Sequence, residues 1–339
     1  MTTGSHQPGG PAALGRRGIL GHEIQLQRLL QAVAADTLHH ALLFEGPRGI
    51  GKRLVADHLA MAANCTERAP GAEPCGVCPT CRTIAAGQHP DVIVVEPDPD
   101  LASRTIAIEV VREVIRQAQY HRYGARRRFV IVDPAEAMLE PAANALLKTL
   151  EEPTADTHFI LVSHNATALL PTIRSRCQRI RFGPVPETAI RAWLDGRGVE
   201  RADVVARLAR GCPGRAMALV EGGLEEREEV ERAILEAVAG PLEGVYALSQ
   251  KLTQGSGRQE WAARAELLLE VVEDLARDAV VAAAADGASS PWAPLFPDGI
   301  ERVARAVQDA RDDLEVFVSG RTVLDALLTA VRRELAATR

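Results

Sequence analysis

The 339 residues are 47% hydrophobic, 25% charged and 4% aromatic, and the formal net charge is −6. This composition is typical of a globular protein, and the acidic balance excludes one whose whole surface is an avid nucleic-acid binder. The length predicts two or three domains.

The first 17 residues are rich in glycine and proline and lack the apolar core of a signal peptide. We therefore predict a disordered tail at 1–17. Further along, no apolar run approaches the length that a membrane span needs. We expect a cytoplasmic protein with no membrane partner.

A phosphate-binding pattern follows the apolar run at 41–44, with the sequence Gly46-Pro47-Arg48-Gly49-Ile50-Gly51-Lys52-Arg53. Strand, glycine-rich turn and helix in this order match the Walker A pattern G-x-x-x-x-G-K-[ST], whose backbone N–H groups and lysine bind phosphate. The candidate nucleotide-binding residues are Gly46, Gly51, Lys52 and Arg53. However, Arg53 stands where serine or threonine binds Mg²⁺, and a guanidinium has no acceptor oxygen. The pattern is that of an NTPase without its metal ligand.

Four cysteines come next, at the spacing C-x9-C-x2-C-x2-C: Cys65, Cys75, Cys78 and Cys81. Thiolates so spaced can turn toward one Zn²⁺. A disulfide framework is typical of exported chains, and a redox pair would be a single C-x-x-C. We predict structural zinc. A free-standing zinc or redox enzyme is an alternative, and it would need an open metal position or a reactive pair of thiols. Cys177 and Cys212 are isolated and predicted to be small buried hydrophobes.

Short apolar runs alternate with helical patterns from about residue 18 to residue 182, with strands predicted at 41–44, 91–96, 129–133, 158–163 and 178–182. Helices are predicted at 110–118 and 139–150, and their apolar faces include Val110 and Leu139, respectively. This alternation predicts an α/β fold with a mostly parallel sheet flanked by helices, and the cysteine segment as an insertion in it. We expect the basic run before the third strand to be a solvated loop: Arg122, Arg126, Arg127 and Arg128.

The third predicted strand ends at Asp133, in the arrangement of a Walker B motif, and Asp133 is a further candidate nucleotide-binding residue. ATPases of this kind usually place a glutamate directly after the aspartate, where it orients or activates water. Pro134 occupies that place and has no side-chain base. The next carboxylate is Glu136. Two degenerate motifs in the correct order predict an ATPase fold without competent ATPase chemistry.

No strand pattern follows Phe182. Residues 183–225 are predicted to form a small helical domain, and 226–339 an all-α domain with helices at 226–239, 261–285 and 299–310 and a loop at 289–291. An apolar stripe in the second of these helices predicts core rather than a binding site: Trp261, Leu268, Leu269, Val272 and Leu275.

Further motifs are His89-Pro90-Asp91, the run NALLKTLEEP at 144–153 and the run LPTIRSRCQ at 170–178. With the degenerate loop and the cysteines, they resemble the delta-prime subunits of the bacterial DNA polymerase III clamp loader, which are AAA+ proteins. The resemblance covers about residues 18–225. It implies a AAA+ core at 18–182 with a zinc module at 65–81, a helical lid at 183–225 and a helical collar at 226–339 that binds neighbouring subunits.

In that family the arginine of Ser175-Arg176-Cys177 faces ATP on the adjacent motor subunit. The resemblance therefore implies that Arg176 is an arginine finger in trans, with Arg174 as its nearest competitor. A guanidinium suits this role because it stays charged and binds phosphate oxygens bidentately.

The resemblance implies a non-hydrolysing stator in a hetero-pentameric ring with gamma/tau and delta subunits, which helps to load the sliding clamp onto primed DNA. The chain is then no enzyme by itself, and nucleotidyl transfer belongs to the polymerase holoenzyme of which it is a subunit. The alternative is an ATP-hydrolysing gamma/tau-like motor subunit. Such a motor should carry serine or threonine at position 53 and glutamate at position 134.

Overall fold

The computed structural model describes residues 18–98, 105–152, 154–254, 258–284, 292, 297–315 and 319–337. The chain divides into two compact units, Met1–Ala218 and Leu219–Arg339. The tail predicted at 1–17 and the loop predicted at 289–291 lie outside the described residues.

The first unit is built on a parallel sheet of short strands: β1 (Ala41–Glu45), β2 (Val92–Val95), β3 (Arg128–Val132), β4 (Thr157–Ser163) and β5 (Gln178–Arg181). The order is β2-β3-β4-β1-β5, and every neighbouring pair is parallel. Strands β1, β3 and β4 are buried along their whole length, as expected of strands that helices cover on both faces. Strand β5 forms one edge of the sheet and is mostly exposed.

The helices of the first unit are α1 (Glu23–Ala34), α2 (Lys52–Asn64), α3 (Pro79–Ala85), α4 (Ile108–Gln119), α5 (Glu140–Glu151), α6 (Pro171–Arg174), α7 (Glu187–Asp195), α8 (Ala202–Leu208) and α9 (Pro213–Ala218). Ala41 and Leu43 of β1 and Phe159 and Leu161 of β4 point to one face of the sheet and share a hydrophobic core with α4 and α5. Helix α2 contacts β3 and β4 without joining that core, so it covers the opposite face. The predicted α/β class is confirmed.

The carboxyl ends of the strands bring acidic residues to one edge of the sheet. Glu45 ends β1, Glu96 follows β2 and Asp133 follows β3. The glycine-rich loop leaves β1 at that same edge, where open parallel sheets bind their ligands. The topology therefore places the loop and the carboxylates side by side.

Two residues assigned to apolar helix faces are exposed instead. Val110 is 43% exposed and Leu139 is 47% exposed. Helix α4 buries Val111 and Val114, and Val110 lies one residue, about 100°, around the helix from the first of them. Leu139 is the residue before α5 rather than part of its packed face.

The basic run before β3 is a solvated loop only in part. Arg128 is 2% exposed and its guanidinium lies 2.8 Å from the Asp91 carboxylate, with further bonds to backbone carbonyls at residues 117, 120 and 121. Arg127 is also buried and pairs with Asp36. Both partners are distant in sequence, so the run itself gives no sign of these pairs. Arg122 and Arg126 are exposed, as predicted.

The second unit contains helices and no strands among its described residues: α10 (Leu224–Ala239), α11 (Leu242–Thr253), α12 (Arg258–Ala284), α13 (Pro297–Glu315) and α14 (Gly320–Ala337). They share one hydrophobic core, which includes the predicted stripe of α12, with Trp261 packed against it. The prediction that this stripe is core is confirmed. No helix in the described part of the chain is both long and apolar enough to span a membrane.

Candidate functional site

A cavity of about 650 Å³ opens beside the phosphate loop, and this volume suits a nucleotide-sized ligand. Its wall includes four of the residues predicted to bind nucleotide: Gly51, Lys52, Arg53 and Asp133. Gly46 is not in the wall. It has φ +154°, and a Cβ there would come within 2.3 Å of the Phe182 carbonyl oxygen, so this position requires glycine for packing against the residue after β5.

Lys52 is turned toward the loop that precedes it. The side chain is buried, and Nζ donates to the carbonyl oxygens of Gly46 at 2.6 Å and Pro47 at 2.8 Å. Burial lowers the pKa of Lys52, although the carboxylates of Asp133 and Glu136 act in the opposite direction. Two of the three ammonium donors are thus used inside the loop rather than offered to a phosphate.

Arg53 lies among three carboxylates, one on α2 and two directly after strands β2 and β3. Its Nε donates to Asp57 Oδ1 at 3.1 Å, and its Nη1 donates to Glu96 Oε1 at 2.5 Å and lies 3.9 Å from Asp133 Oδ2. Burial opposes the charge of Arg53, but Asp57 and Glu96 outweigh it and raise the pKa of the guanidinium. Burial also raises the pKa of Asp133, which Arg53 partly offsets. The Walker B carboxylate therefore faces a fixed protein cation.

The carboxylate of Glu136 accepts hydrogen bonds from backbone N–H groups, and Glu136 is not part of the cavity wall. It accepts from the N–H of His164 at 2.9 Å and of Asn165 at 3.1 Å, and it pairs with His164 Nδ1 at 2.7 Å. Burial alone would raise the pKa of Glu136, but these hydrogen bonds outweigh it and lower the pKa to about 2. A carboxylate so stabilised is a weak base, and it does not replace the glutamate that Pro134 displaces.

Helix α9 packs directly on the phosphate loop. The N–H of Gly214 donates to the Gly49 carbonyl at 2.8 Å, and a Cβ on Gly214 would lie 2.9 Å from that oxygen. Gly49 itself has φ +75°, in the left-handed region that favours glycine. On the other side, His22 Nε2 donates to the Ile50 carbonyl at 3.0 Å. The loop is thus fastened to two other segments of the first unit.

The four predicted metal ligands lie together: the sulfur atoms of Cys65, Cys75, Cys78 and Cys81 are all within 4.8 Å of one another. Cys65 directly follows α2, and Cys78 caps α3 by accepting from the N–H of Cys81 at 3.4 Å. The N–H of Cys78 in turn donates to the Cys75 sulfur at 3.3 Å. Backbone donors aimed at sulfur favour thiolates, and sulfurs this close can share one metal ion.

The electrostatics of the cluster favour a cation at its centre. Burial opposes ionisation of Cys78, but hydrogen bonds from Thr66 and Cys81 lower its pKa to about 6. Burial raises the pKa of Cys81, and its neighbours Cys78 and Cys65 raise it further. Four thiolates cannot coexist here without a compensating positive charge, so the donor set fits a soft divalent metal. Cys177 and Cys212 are buried apart from this cluster, as predicted.

Arg176 lies between α6 and β5 with its side chain one-third exposed. Its Nε donates to Glu151 Oε1 at 2.8 Å and its Nη1 donates to the Thr172 carbonyl at 2.9 Å. Glu151 is the last residue of α5. Glu151 and the Thr172 carbonyl thus hold the guanidinium at the surface.

Sequence reasoning missed four contributors to these sites: Asp57, Glu96, Glu151 and Gly214. A local signal existed for Asp57, which lies four residues after Arg53 on a predicted helix. Glu96 ends a predicted strand, and strand ends gather near the loop. No local pattern links Arg176 to Glu151, or Gly49 to Gly214, because those contacts arise only when the chain folds.

Comparison with known proteins finds matches to subunits of bacterial DNA polymerase III. A family model described as "DNA polymerase III, delta subunit" matches residues 21–186. The delta' subunit of DNA polymerase III from Escherichia coli K12 is 33% identical over 243 residues, which cover 70% of this chain and 71% of that protein. The delta' subunit from Pseudomonas aeruginosa is 40% identical over 193 residues, 56% of this chain and 58% of that protein. The tau subunit from Escherichia coli K12 is 31% identical over 255 residues, but these make up only 39% of its length.

The match to the Escherichia coli delta' subunit extends over most of both chains. The chain therefore belongs to the AAA+ family of delta' subunits of bacterial DNA polymerase III, components of the clamp loader.

Proposed function

We propose that this chain acts in the clamp loader as a stator that hydrolyses no ATP and supplies Arg176 to the ATP site of a neighbouring motor subunit. The observation that carries the proposal is the state of its own nucleotide site. Arg53 stands at the metal-ligand position beside Asp133, and Glu136 is bound to backbone N–H groups. A site without a metal ligand and without a general base supports a structural role for the phosphate loop.

Arg176 supports the second half of the proposal. Its guanidinium is partly exposed and oriented by Glu151 and the Thr172 carbonyl. Some of its N–H donors stay available to a phosphate on another chain, since a guanidinium has five. Arginine fingers act by stabilising the charge of the transferring phosphoryl group.

The partners in this proposal are gamma/tau and delta subunits in a hetero-pentameric ring, with the sliding clamp and primed DNA reached through the complex. The parts of the chain are a core at 18–182, a lid at 183–225 and a collar at 226–339. The cysteine cluster holds structural Zn²⁺, because four thiolates complete a tetrahedral shell and leave no position open for catalysis. The protein works in the cytoplasm, and nucleotide polymerisation belongs to other subunits.

The test is clamp loading by a reconstituted complex that contains Arg176→Ala. We expect the rate to fall at least about tenfold, since an arginine finger contributes about 10³-fold or more to phosphoryl transfer. Arg176→Lys should recover little of the loss, because an ammonium is not bidentate. Arg174→Ala is the matched control, and it should load at close to the wild-type rate. Full activity of Arg176→Ala, or a larger loss with Arg174→Ala, would refute the assignment.

The alternative is a gamma/tau-like motor subunit. The observation that favours it is the match to the tau subunit, which extends over 72% of this chain. It predicts ATP turnover by the purified chain that Lys52→Ala abolishes. The stator predicts no turnover above that of Lys52→Ala. An ATPase assay with both proteins separates the two.

A further inference from the structure

We infer that Arg53 takes the place of the divalent cation, so that the pocket binds no Mg²⁺. This deepens the non-hydrolysing role proposed above, on which it rests. The fold implies a Mg²⁺–nucleotide site, and the residues present do not fit one.

The first step is geometric. The guanidinium of Arg53 bridges Asp57, about one turn further along α2, at 3.1 Å and Glu96, the residue after β2, at 2.5 Å. It also lies 3.9 Å from the Asp133 carboxylate. The carboxylates therefore converge on a group that the chain itself carries.

The second step concerns charge. Mg²⁺ binds carboxylate oxygens at about 2.0–2.1 Å in a near-ideal octahedron and usually keeps several waters. A guanidinium already bound to two of the carboxylates and close to the third repels a divalent cation and occupies their acceptor positions. Only 28% of the Arg53 side chain is exposed, so solvent screens this repulsion incompletely.

The third step concerns the phosphate side of the site. Lys52 is bound to carbonyl oxygens of the loop, and the Gly49 carbonyl is bound by Gly214. Both groups are thus satisfied without nucleotide. The site is a closed set of ion pairs and hydrogen bonds that needs neither Mg²⁺ nor phosphate to be stable.

The experiment measures Mn²⁺, a paramagnetic substitute for Mg²⁺, by the loss of its free signal on binding to the full-length chain. The variants are wild type, Asp133→Asn, Arg53→Thr and Arg53→Thr with Asp133→Asn. We expect Asp133→Asn to make no difference to Mn²⁺ binding by the wild type. Arg53→Thr removes the cation and adds a hydroxyl ligand, and it should bind Mn²⁺ at least tenfold more tightly through a site that Asp133→Asn removes.

The control is Arg116→Thr, which also removes an arginine paired with a carboxylate, Glu113, on α4 outside the cavity wall. It should gain no Mn²⁺ site. An Asp133-dependent Mn²⁺ site in the wild type overturns the inference, and so does a folded Arg53→Thr protein that gains none. The wild-type comparison decides even where Arg53→Thr fails to fold. The assay uses no partner subunit, so its failure leaves the Arg176 result untouched.

Discussion

The carboxylate of Glu136 is largely removed from water and is surrounded by hydrogen-bond donors. Its side chain is 11% exposed and receives hydrogen bonds from two backbone N–H groups and from His164. Its folded-state pKa of about 2 lies below the value of 4.5 that applies to an unperturbed glutamate. Such a group stabilises the fold at pH values above its unfolded pKa, and that stabilisation is lost as the pH falls toward its folded pKa.

We therefore expect Glu136→Gln to lower the free energy of unfolding at pH 6 by an amount of the order of 3 kcal/mol, an upper estimate from the difference between the two pKa values. The difference between variant and wild type should shrink steadily between about pH 4.5 and pH 2, where the wild-type carboxylate also becomes protonated. Urea denaturation at a series of pH values measures it. A difference that is the same at pH 3 and pH 6 would show that Glu136 acts through packing rather than charge.

At the scale of elements, α9 contacts the phosphate loop within the first unit. Gly214 has no left-handed φ, so its only special requirement is space, and a Cβ would press on the backbone of Gly49. Backbone atoms at that distance cannot swing aside as the end of a side chain does. The short contact therefore depends on glycine at position 214.

Gly214→Ala should destabilise the first unit by about 1–3 kcal/mol, the usual cost of inserting a methyl group into a packed contact. Gly183→Ala is the matched control, because a Cβ there meets nothing within 4 Å; it should change the free energy of unfolding little. The measurement is chemical denaturation of both variants beside wild type. Equal stability of the two variants would mean that α9 lifts from the loop at little cost.

The elements themselves were largely predictable from the sequence. The core strands β1, β3 and β4 are short apolar runs between turn residues, and the phosphate loop is a local motif. Helix faces were less certain: Val110 and Leu139 have the right chemistry but the wrong angle or position. The partners of the charged groups were not predictable, because Arg53–Glu96 and Arg176–Glu151 join residues that are far apart in sequence.

At the scale of the whole molecule, the cysteine cluster belongs to the first unit alone. It links the end of α2, which begins at Lys52, to α3, and no cysteine of the cluster contributes to the core that holds α10 to α14 together. The proposed metal ion would tie these two helices together at the cluster. The second unit is stabilised by its own hydrophobic core, which contains none of these cysteines.

Zinc removal by a strong chelator should therefore speed amide hydrogen exchange in residues 52–85 and leave exchange in α10 and α11 nearly unchanged, since structural zinc contributes directly to folding. Mass spectrometry of peptides reports both regions in one experiment. Cys78→Ser should reproduce the effect and lower bound zinc below one ion per chain, whereas Cys212→Ser should keep one. A purified chain without zinc, or uniform exchange before and after chelation, would contradict the structural role.

The edge strand β5 affects the tendency of the chain to aggregate. An edge strand offers backbone hydrogen-bonding groups to any such segment and so invites aggregation. Arg179 and Arg181 remain 43% and 78% exposed along this strand while bonding Glu45 at 2.7 Å and 2.6 Å. Gln25 of α1 also donates to the Arg181 carbonyl at 2.9 Å. A second copy that approached this edge would meet like charge and an acceptor already in use, which disfavours the growth of a continuous intermolecular sheet.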